Sequence, residues 1–271
     1  MDNNELKKHA LNIRRNIVSM VYNAQSGHPG GSLGAADIVT YLYFKEMNIN
    51  KDNCESNKRD RFVLSKGHCS PALYATLHEA GLVEGDIMTF RQVGSKFQGH
   101  PSMRYIKSVD MSTGSLGQGV STAVGMAIAN KVDKNNYRVY ALCGDGESEE
   151  GIVWEAMMSA CHYKLDNLCI IFDQNNLQID GNVQDVVGPL PLTDKAKAFG
   201  AHVIEADGHD FDSLAKAFEE ARNTKGVPTV IVAHTVKGKG VSYMEDNYAW
   251  HGAAPNEEQY KIAMEDLKEV K

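Results

Sequence analysis

The chain has no paired-cysteine motif, no long apolar run and no basic tract, and each absence removes a class of protein. Its five cysteines, Cys54, Cys69, Cys143, Cys161 and Cys169, include no Cys-x-x-Cys pair, so the spacing offers no zinc site. Without a secretion signal these thiols read as reduced and the protein as cytoplasmic. Cys143 and Cys169 fall inside apolar runs, where a thiol behaves as a small hydrophobe. No stretch is long and apolar enough to span a bilayer. The first residues, MDNNELKKHALNIRRNIV, lack the continuous apolar core of a signal peptide. They pattern instead as an amphipathic helix with Leu6, Ile13 and Ile17 on its buried side. The net charge is -7, with no basic patch to meet a phosphate backbone. Neither nucleic acid nor membrane is therefore an expected partner. No internal repeat, low-complexity segment or domain boundary is apparent. The 271 residues, 42% hydrophobic and 23% charged, suit one large α/β domain over 1–271.

What is present centres on Tyr137 to Gly181. An apolar run, Val139 to Cys143, is bounded by Gly144-Asp145-Gly146. A helical pattern follows, about Glu149 to Leu165, and then a second apolar run, Leu168 to Phe172, ending in Asp173-Gln-Asn175-Asn176. Strand, helix and strand in that order predict a parallel βαβ unit with a right-handed crossover. Ligands of such sheets sit beyond the carboxyl ends of the strands, which is where Asp145 and Asn175 fall. Gly144 and Gly146 allow a sharp turn and a close backbone approach. A carboxylate, an amide oxygen and nearby carbonyls are hard ligands, suited to Mg²⁺ that shares its shell with a diphosphate.

On either side the pattern alternates between elements and glycine-rich loops. Gln25 to Ser32 reads as a loop that holds His28 extended before Pro29. A helix follows over Leu33 to Met47, then a surface loop, a strand over Arg61 to Ser65, and a helix opening at Ser70-Pro71 and closing at Gly81. A short helix is predicted over Glu84 to Arg91. A helix over Gly117 to Lys131 carries two small-residue faces, Gly119/Ala123/Ala127 and Ser121/Gly125/Ala129, suited to packing on the sheet or to a contact between chains. Asn182 to Leu192 reads as loop, and Thr193 to Phe199 as a short helix. Strands follow over Ala201 to Glu205 and Pro228 to His234. Asp210 reads as the N-cap of a helix over Ser213 to Thr224. A last helix runs from Asn256 to about Val270.

Four histidines, His28, His68, His100 and His251, sit in loops beside Gly or Pro. Imidazoles gathered on one rim can donate, accept or carry protons for a polyhydroxylated substrate. His9, His78, His162, His202, His209 and His234 read as structural. Glu147 and Glu149 read as solvated carboxylates near a helix N-terminus. Lys237 and Lys239 lie in a loop of a usually solvated kind, with a phosphate contact as the other reading.

Taken together, Gly-Asp145-Gly, Glu150-Gly, Asn167-Leu, Asn175 and Asp180-Gly resemble the thiamine diphosphate motif of transketolases. Ser-Gly-His28-Pro-Gly, Ser-Lys-Gly-His68, Gly-His100-Pro, Thr-Gly-Ser-Leu-Gly-Gln-Gly119, Lys237-Gly-Lys-Gly and His251-Gly match the same family in its order, from about Ser26 to Gly252. The resemblance implies a three-layer α/β/α fold with a mostly parallel central sheet. It implies thiamine diphosphate and Mg²⁺ as cofactors, with Asp145, Asn175 and the Leu177 carbonyl on the metal. His68, the backbone of Gly114-Ser115-Leu116, Gly146 and Glu150 would serve the cofactor site, Glu150 toward a partner. His28 and His251 would lie beside the thiazolium and the sugar carbonyl, and His100 would bind donor hydroxyls. Ser115 departs from the family, where many full-length members carry Pro; the backbone contact survives on a less rigid loop.

The resemblance covers only the diphosphate half of the family's site and implies that the aminopyrimidine half lies on another chain. The resemblance therefore implies the N-terminal subunit of a split transketolase, moving a two-carbon ketol unit between sugar phosphates. It would work in an α2β2 assembly with a C-terminal, pyrimidine-binding subunit. Two other readings stay open: the α subunit of a thiamine-dependent 2-oxo acid dehydrogenase, and a non-catalytic thiamine diphosphate-binding regulatory subunit.

Overall fold

Five parallel strands form the centre of the molecule, and all but one edge strand are buried on both faces. The computed structural model describes residues 1–269. The strands are β1 (Arg61–Leu64), β2 (Val139–Gly144), β3 (Leu168–Gln174), β6 (His202–Asp207) and β7 (Thr229–His234), in the order β1-β2-β3-β7-β6. All neighbouring pairs are parallel. The edge strand β6 buries Ile204 and Ala206 and exposes Glu205 and Asp207. Alternation along the strands splits the core in two, because successive side chains point to opposite faces. Phe62, Leu64, Tyr140, Leu142, Cys169, Ile171 and Ile231 face one cluster. Val63, Val139, Ala141, Cys143, Ile170, Phe172 and Val232 face the other. Each large aliphatic side chain removed from water contributes roughly 1.5–3 kcal/mol, so the doubly covered strands read as unbroken apolar runs.

The first face is covered by α1 (Asn3–Ala24), α2 (Pro29–Gly34), α3 (Ala36–Tyr41), α4 (Ser70–Glu79) and α9 (Phe211–Asn223). α1 opens with a capping box between Asp2 and Glu5 and buries Leu6, Ile13 and Ile17, as its pattern predicts. The second face is covered by α5 (Gln118–Val132), α6 (Gly151–His162) and α8 (Leu192–Phe199). This is the three-layer α/β/α arrangement. The last helix, α10 (Glu257–Asp266), has its own capping box from Asn256 to Gln259. The part of the expected helix reaching Val270 lies outside the described residues.

Several boundaries differ from the sequence reading. The helix expected from Leu33 starts at Pro29, because proline suits the first helical position. It then runs through α2 and α3 into a π-helical turn, Leu42–Glu46. The segment 84–91 keeps only one 3-10 turn, Ile87–Thr89. The helix expected from Glu149 is a 3-10 turn, Gly146–Glu149, followed by α6. The expected loop after Gly181 contains a small antiparallel pair, β4 (Leu177–Gln178) with β5 (Gly181–Asn182), and one helical turn, α7 (Val183–Val186). Asp210 caps α9 by accepting from the Asp212 amide.

Candidate active site

The carboxyl ends of β1, β2, β3 and β7 lie at one edge of the sheet, so four loops converge there: 65–69, 145–150, 175–178 and 235–240. They enclose a cavity of about 250 Å³ lined by Gly31, Lys66, His68, Gly114, Leu116, Asp145, Gly146, Asn175, Leu177, Lys237 and His251, among others. Close approach is built in by glycine. A Cβ on Gly31 would lie 2.9 Å from the Cys69 sulfur, and one on Gly30 would lie 2.8 Å from the Trp250 carbonyl oxygen. Gly114 adopts φ 157° and has His100 against it, 3.2 Å from where its Cβ would stand.

The cavity wall joins hard oxygens to buried ammonium groups. Asp145, 2% exposed, accepts from the Gly146 amide at 2.8 Å and from the Asn176 amide. Asn175 Oδ1 accepts from the Leu177 amide at 3.1 Å, and the Leu177 carbonyl accepts from Lys237 Nζ at 3.2 Å. Lys66 and Lys237 are each only 2% exposed. Lys66 donates to the Asp173 carboxylate and, at 3.3 Å, to the Gly31 carbonyl; Asp173 also accepts from the Thr235 hydroxyl. Burial opposes the Lys66 charge, but Asp173 beside it outweighs that and holds it protonated. Lys237 has no carboxylate partner, and burial followed by the nearby Lys66 charge lowers its pKa. Burial and then Asp173 push the Asp145 carboxyl up to about 6, against the amide bonds from Gly146 and Asn176.

Three imidazoles close one side. The ring centroids of His28 and His68 are 5.2 Å apart, those of His28 and His251 5.4 Å, and those of His68 and His251 4.9 Å. His251 Nδ1 is 3.2 Å from Lys237 Nζ. His28 Nδ1 is buried with no partner. Burial and the cations around them keep all three neutral. His28 falls to about 4 through burial and then Arg91, His251 to about 3 through burial and then Lys237, and His68 well below its ordinary value. His100 is lowered by burial and Arg91. They are hydrogen-bonding groups at neutral pH rather than charge carriers.

Of the residues singled out from sequence, Asp145, Asn175, Leu177, Gly146, His68, Gly114, Leu116 and His251 line this one cavity, and His28 packs on two of its histidines. Ser115, Glu150 and His100 are exposed and do not line it. Two readings are corrected. Glu147 is not solvated: 3% exposed, it accepts from the Ser65 hydroxyl, the Gly117 amide at 2.8 Å and the Gly144 amide at 2.9 Å, tying three loops together. Lys237 is not solvated either, whereas Lys239 is, 3.5 Å from Glu245. The burial of Lys66 and Glu147 depends on Asp173 for the first and on Ser65 and Gly117 for the second, all dozens of positions away. The Ser-Lys-Gly-His and Gly-Asp-Gly-Glu stretches that hold them were the only local signal.

A cation fits the oxygen set, since a positive ion would relieve the cost that burial imposes on ionised Asp145. Among the described residues, no three or more His, Cys, Asp or Glu side chains could hold a metal together. A metal here needs further oxygens, and a diphosphate supplies them. Lys66, Lys237 and the glycine backbones fit such an anion.

The small-residue faces of α5 divide. Gly119, Ala123 and Ala127 are buried on the sheet, a Cβ on Gly119 meeting Ser65 at 2.6 Å, while Gly125 and Ala129 are exposed. Val132 of α5 and Met158 of α6 are exposed beyond half their surface.

Residues 6–268 match the family described as the thiamine diphosphate binding domain of transketolase. The chain is 42% identical over 257 residues to one of the subunits of an apulose-4-phosphate transketolase from Phocaeicola vulgatus, covering 94% of this chain and 91% of that one. It is 42% identical over 265 residues to a 6-deoxy-6-sulfo-D-fructose transketolase subunit from a Clostridium species, covering 97% and 96%. Among solved structures, transketolase from Campylobacter jejuni superposes with a TM-score of 0.92 at 37% identity, over 99% of this chain and 43% of that one. The Leishmania mexicana enzyme gives 0.91 at 36% identity, over 97% and 41%. The chain thus spans about two fifths of those solved transketolases and nearly the whole of the two subunits. With the sheet, the rim cavity and its motif residues all in agreement, this chain belongs to the transketolase family, as a counterpart of its thiamine diphosphate-binding domain.

Proposed function

We propose that this chain is the diphosphate-binding subunit of a two-chain, Mg²⁺-dependent transketolase that moves a two-carbon ketol unit from a ketose to an aldose. The observation that carries the reading is the meeting of Asp145, Asn175 and the Leu177 carbonyl with the buried ammonium groups of Lys66 and Lys237 in one cavity. Asp145, Asn175 and Leu177 would hold the metal. Gly146, the Gly114-Ser115-Leu116 backbone, His68 and Lys237 would hold the diphosphate. Bound thiamine diphosphate would supply the carbanion-stabilising chemistry that lets a two-carbon unit leave one sugar and join another.

The chain's own residues would orient the sugar and manage protons around it. His28 and His251, neutral and side by side, offer ring nitrogens to the sugar carbonyl, and the unpartnered His28 Nδ1 is available for that contact. His100, exposed beside Gly114, would bind donor hydroxyls. Both of these relatives are named for a ketose with an anionic end, a phosphate or a sulfonate. A substrate of that class is our reading here, with its anionic end bound by the partner.

The partner would be a pyrimidine-binding chain, and an α2β2 complex is our reading of the assembly. The exposed face of α5 and α6, with Gly125, Ala129, Val132 and Met158, supports docking of that chain, since small and apolar residues permit close approach. No described helix is long and apolar enough to cross a membrane. The unpaired cysteines support a cytoplasmic setting. The test is to assay purified chain with thiamine diphosphate and Mg²⁺ for ketol transfer, alone and with a candidate pyrimidine-domain chain. Silence alone and turnover with the partner are expected. Turnover by the chain alone would sink the two-chain reading, and tight cofactor binding without turnover in the complex would favour a regulatory role.

A further inference from the structure

His209 reads as structural from sequence, yet its two ring nitrogens link the far side of the fold to the cavity loop. Its Nε2 accepts the Val236 amide hydrogen at 2.8 Å, so that nitrogen carries no proton. Its Nδ1 therefore bears the proton and donates to Asp37 Oδ2 at 2.7 Å. Arg14 holds Asp37 through both oxygens, at 2.9 and 2.6 Å, and sends its Nε to the Lys239 carbonyl at 3.1 Å. One part-buried network thus grips the backbone on both sides of Lys237.

The rest of that loop is equally confined. The Gly238 amide donates to the Gly30 carbonyl at 2.8 Å, and the Asp246 amide donates to the Lys237 carbonyl at 3.0 Å. Gly238 has φ 80°, and a Cβ there would stand 2.2 Å from the Met244 carbonyl oxygen. A Cβ on Gly34 would stand 2.9 Å from the Val236 carbonyl oxygen. The backbone is clamped from one side while the Lys237 side chain leaves on the other, toward Leu177 and His251. A lysine carries about 2 kcal/mol of rotamer entropy, so anchoring its backbone is the means of delivering a fixed ammonium group.

We infer that His209 is a positioning residue for Lys237: through the Val236 amide it sets the loop so that the ammonium group meets the anionic cofactor in the cavity. The inference rests on reading the cavity as the diphosphate site.

The experiment separates the two ring nitrogens. In His209→Gln the amide oxygen stands near the place of Nε2 and can still accept from Val236. In His209→Asn the shorter side chain reaches only toward Asp37. Calorimetry with thiamine diphosphate and Mg²⁺ is expected to show weakening of roughly 10–100-fold for Asn, the range for loss of a supporting outer-shell group, and recovery of most affinity for Gln. In a Lys237→Met background, His209→Asn should add nothing. Hydrogen exchange at the Val236 amide should speed up in Asn and be restored in Gln, with or without cofactor. Wild-type affinity in His209→Asn, or effects of the two residues that multiply, would overturn the positioning role. If wild-type protein, alone or with its partner chain, bound no thiamine diphosphate, the site reading would fail instead. The anchoring by His209 would then be decided by the exchange rates alone, unchanged protection in Asn overturning it.

Discussion

Two groups of buried charges lie on either side of the 235–240 loop, and they are built on opposite principles. Behind the loop, Arg14, Asp37 and His209 satisfy one another. Burial alone would push the Asp37 carboxyl up, but the Arg14 charge and the hydrogen bonds from His209 and Arg14 hold it at about 2. In front of the loop, Asp145 is driven up to about 6 by burial and a neighbouring carboxylate, and Lys237 is driven down by burial and a neighbouring ammonium. The first group is closed and stabilises the fold. The second is left in tension that a ligand of the right charge would relieve, and such tension marks sites better than charge does.

The comparison can be broken most forcefully from the closed side. Asp37→Ala leaves Arg14 buried without its carboxylate, which should cost about 3–5 kcal/mol, read from urea unfolding. A loss below about 1 kcal/mol would mean the network is more solvated than its geometry indicates.

The matching substitution on the open side should have the opposite sign. Asp145→Asn removes a carboxylate whose folded pKa is raised, so its ionised form weakens the fold at neutral pH. The variant should gain up to about 3 kcal/mol at pH 7 without metal, and that gain should vanish below about pH 4, where wild-type Asp145 is protonated in both states. Calorimetry should show no binding of thiamine diphosphate with Mg²⁺. Retained binding would move the metal elsewhere.

Acid titration sharpens the contrast further. Asp37 is depressed when folded, so its contribution of about 2 kcal/mol is complete above about pH 4 and lost as pH falls through about 2. His28 and His251 are depressed as well, to about 4 and 3. Their share is complete above about 6.5 and declines as pH falls through those values. Asp145, raised when folded, contributes the opposite way between about pH 6 and 4 and offsets part of the histidine loss there, so Asp37→Asn should flatten the decline only below about pH 4. Melting of wild type and variant over a pH series reads this directly, and equal slopes below about pH 4 would contradict it.

The smallest effect is expected at Lys239, two residues from Lys237 but exposed toward Glu245. Lys239→Ala should change stability by less than about 0.5 kcal/mol and leave cofactor affinity unchanged. A large loss of affinity would show that the two lysines share the anion.

The local pattern determined much of this protein. Apolar runs of strand length ending in Gly-Asp-Gly and Asp-Gln-Asn-Asn were enough to put Asp145 and Asn175 at carboxyl ends of parallel strands, because a βαβ crossover has one hand and one rim. Pro71, Asp210 and Asn256 marked helix starts through chemistry that acts within three residues. Tertiary structure alone decided which charges are buried. Nothing within a few positions of Lys66, Glu147 or Lys237 reveals that each is buried, or that His209 is held through both ring nitrogens. Their partners Asp173, Ser65 and Gly117, Leu177, and Asp37 arrive from other elements. Burial of a charge depends on what the fold brings against it, and that is a property of the packed sheet and its loops.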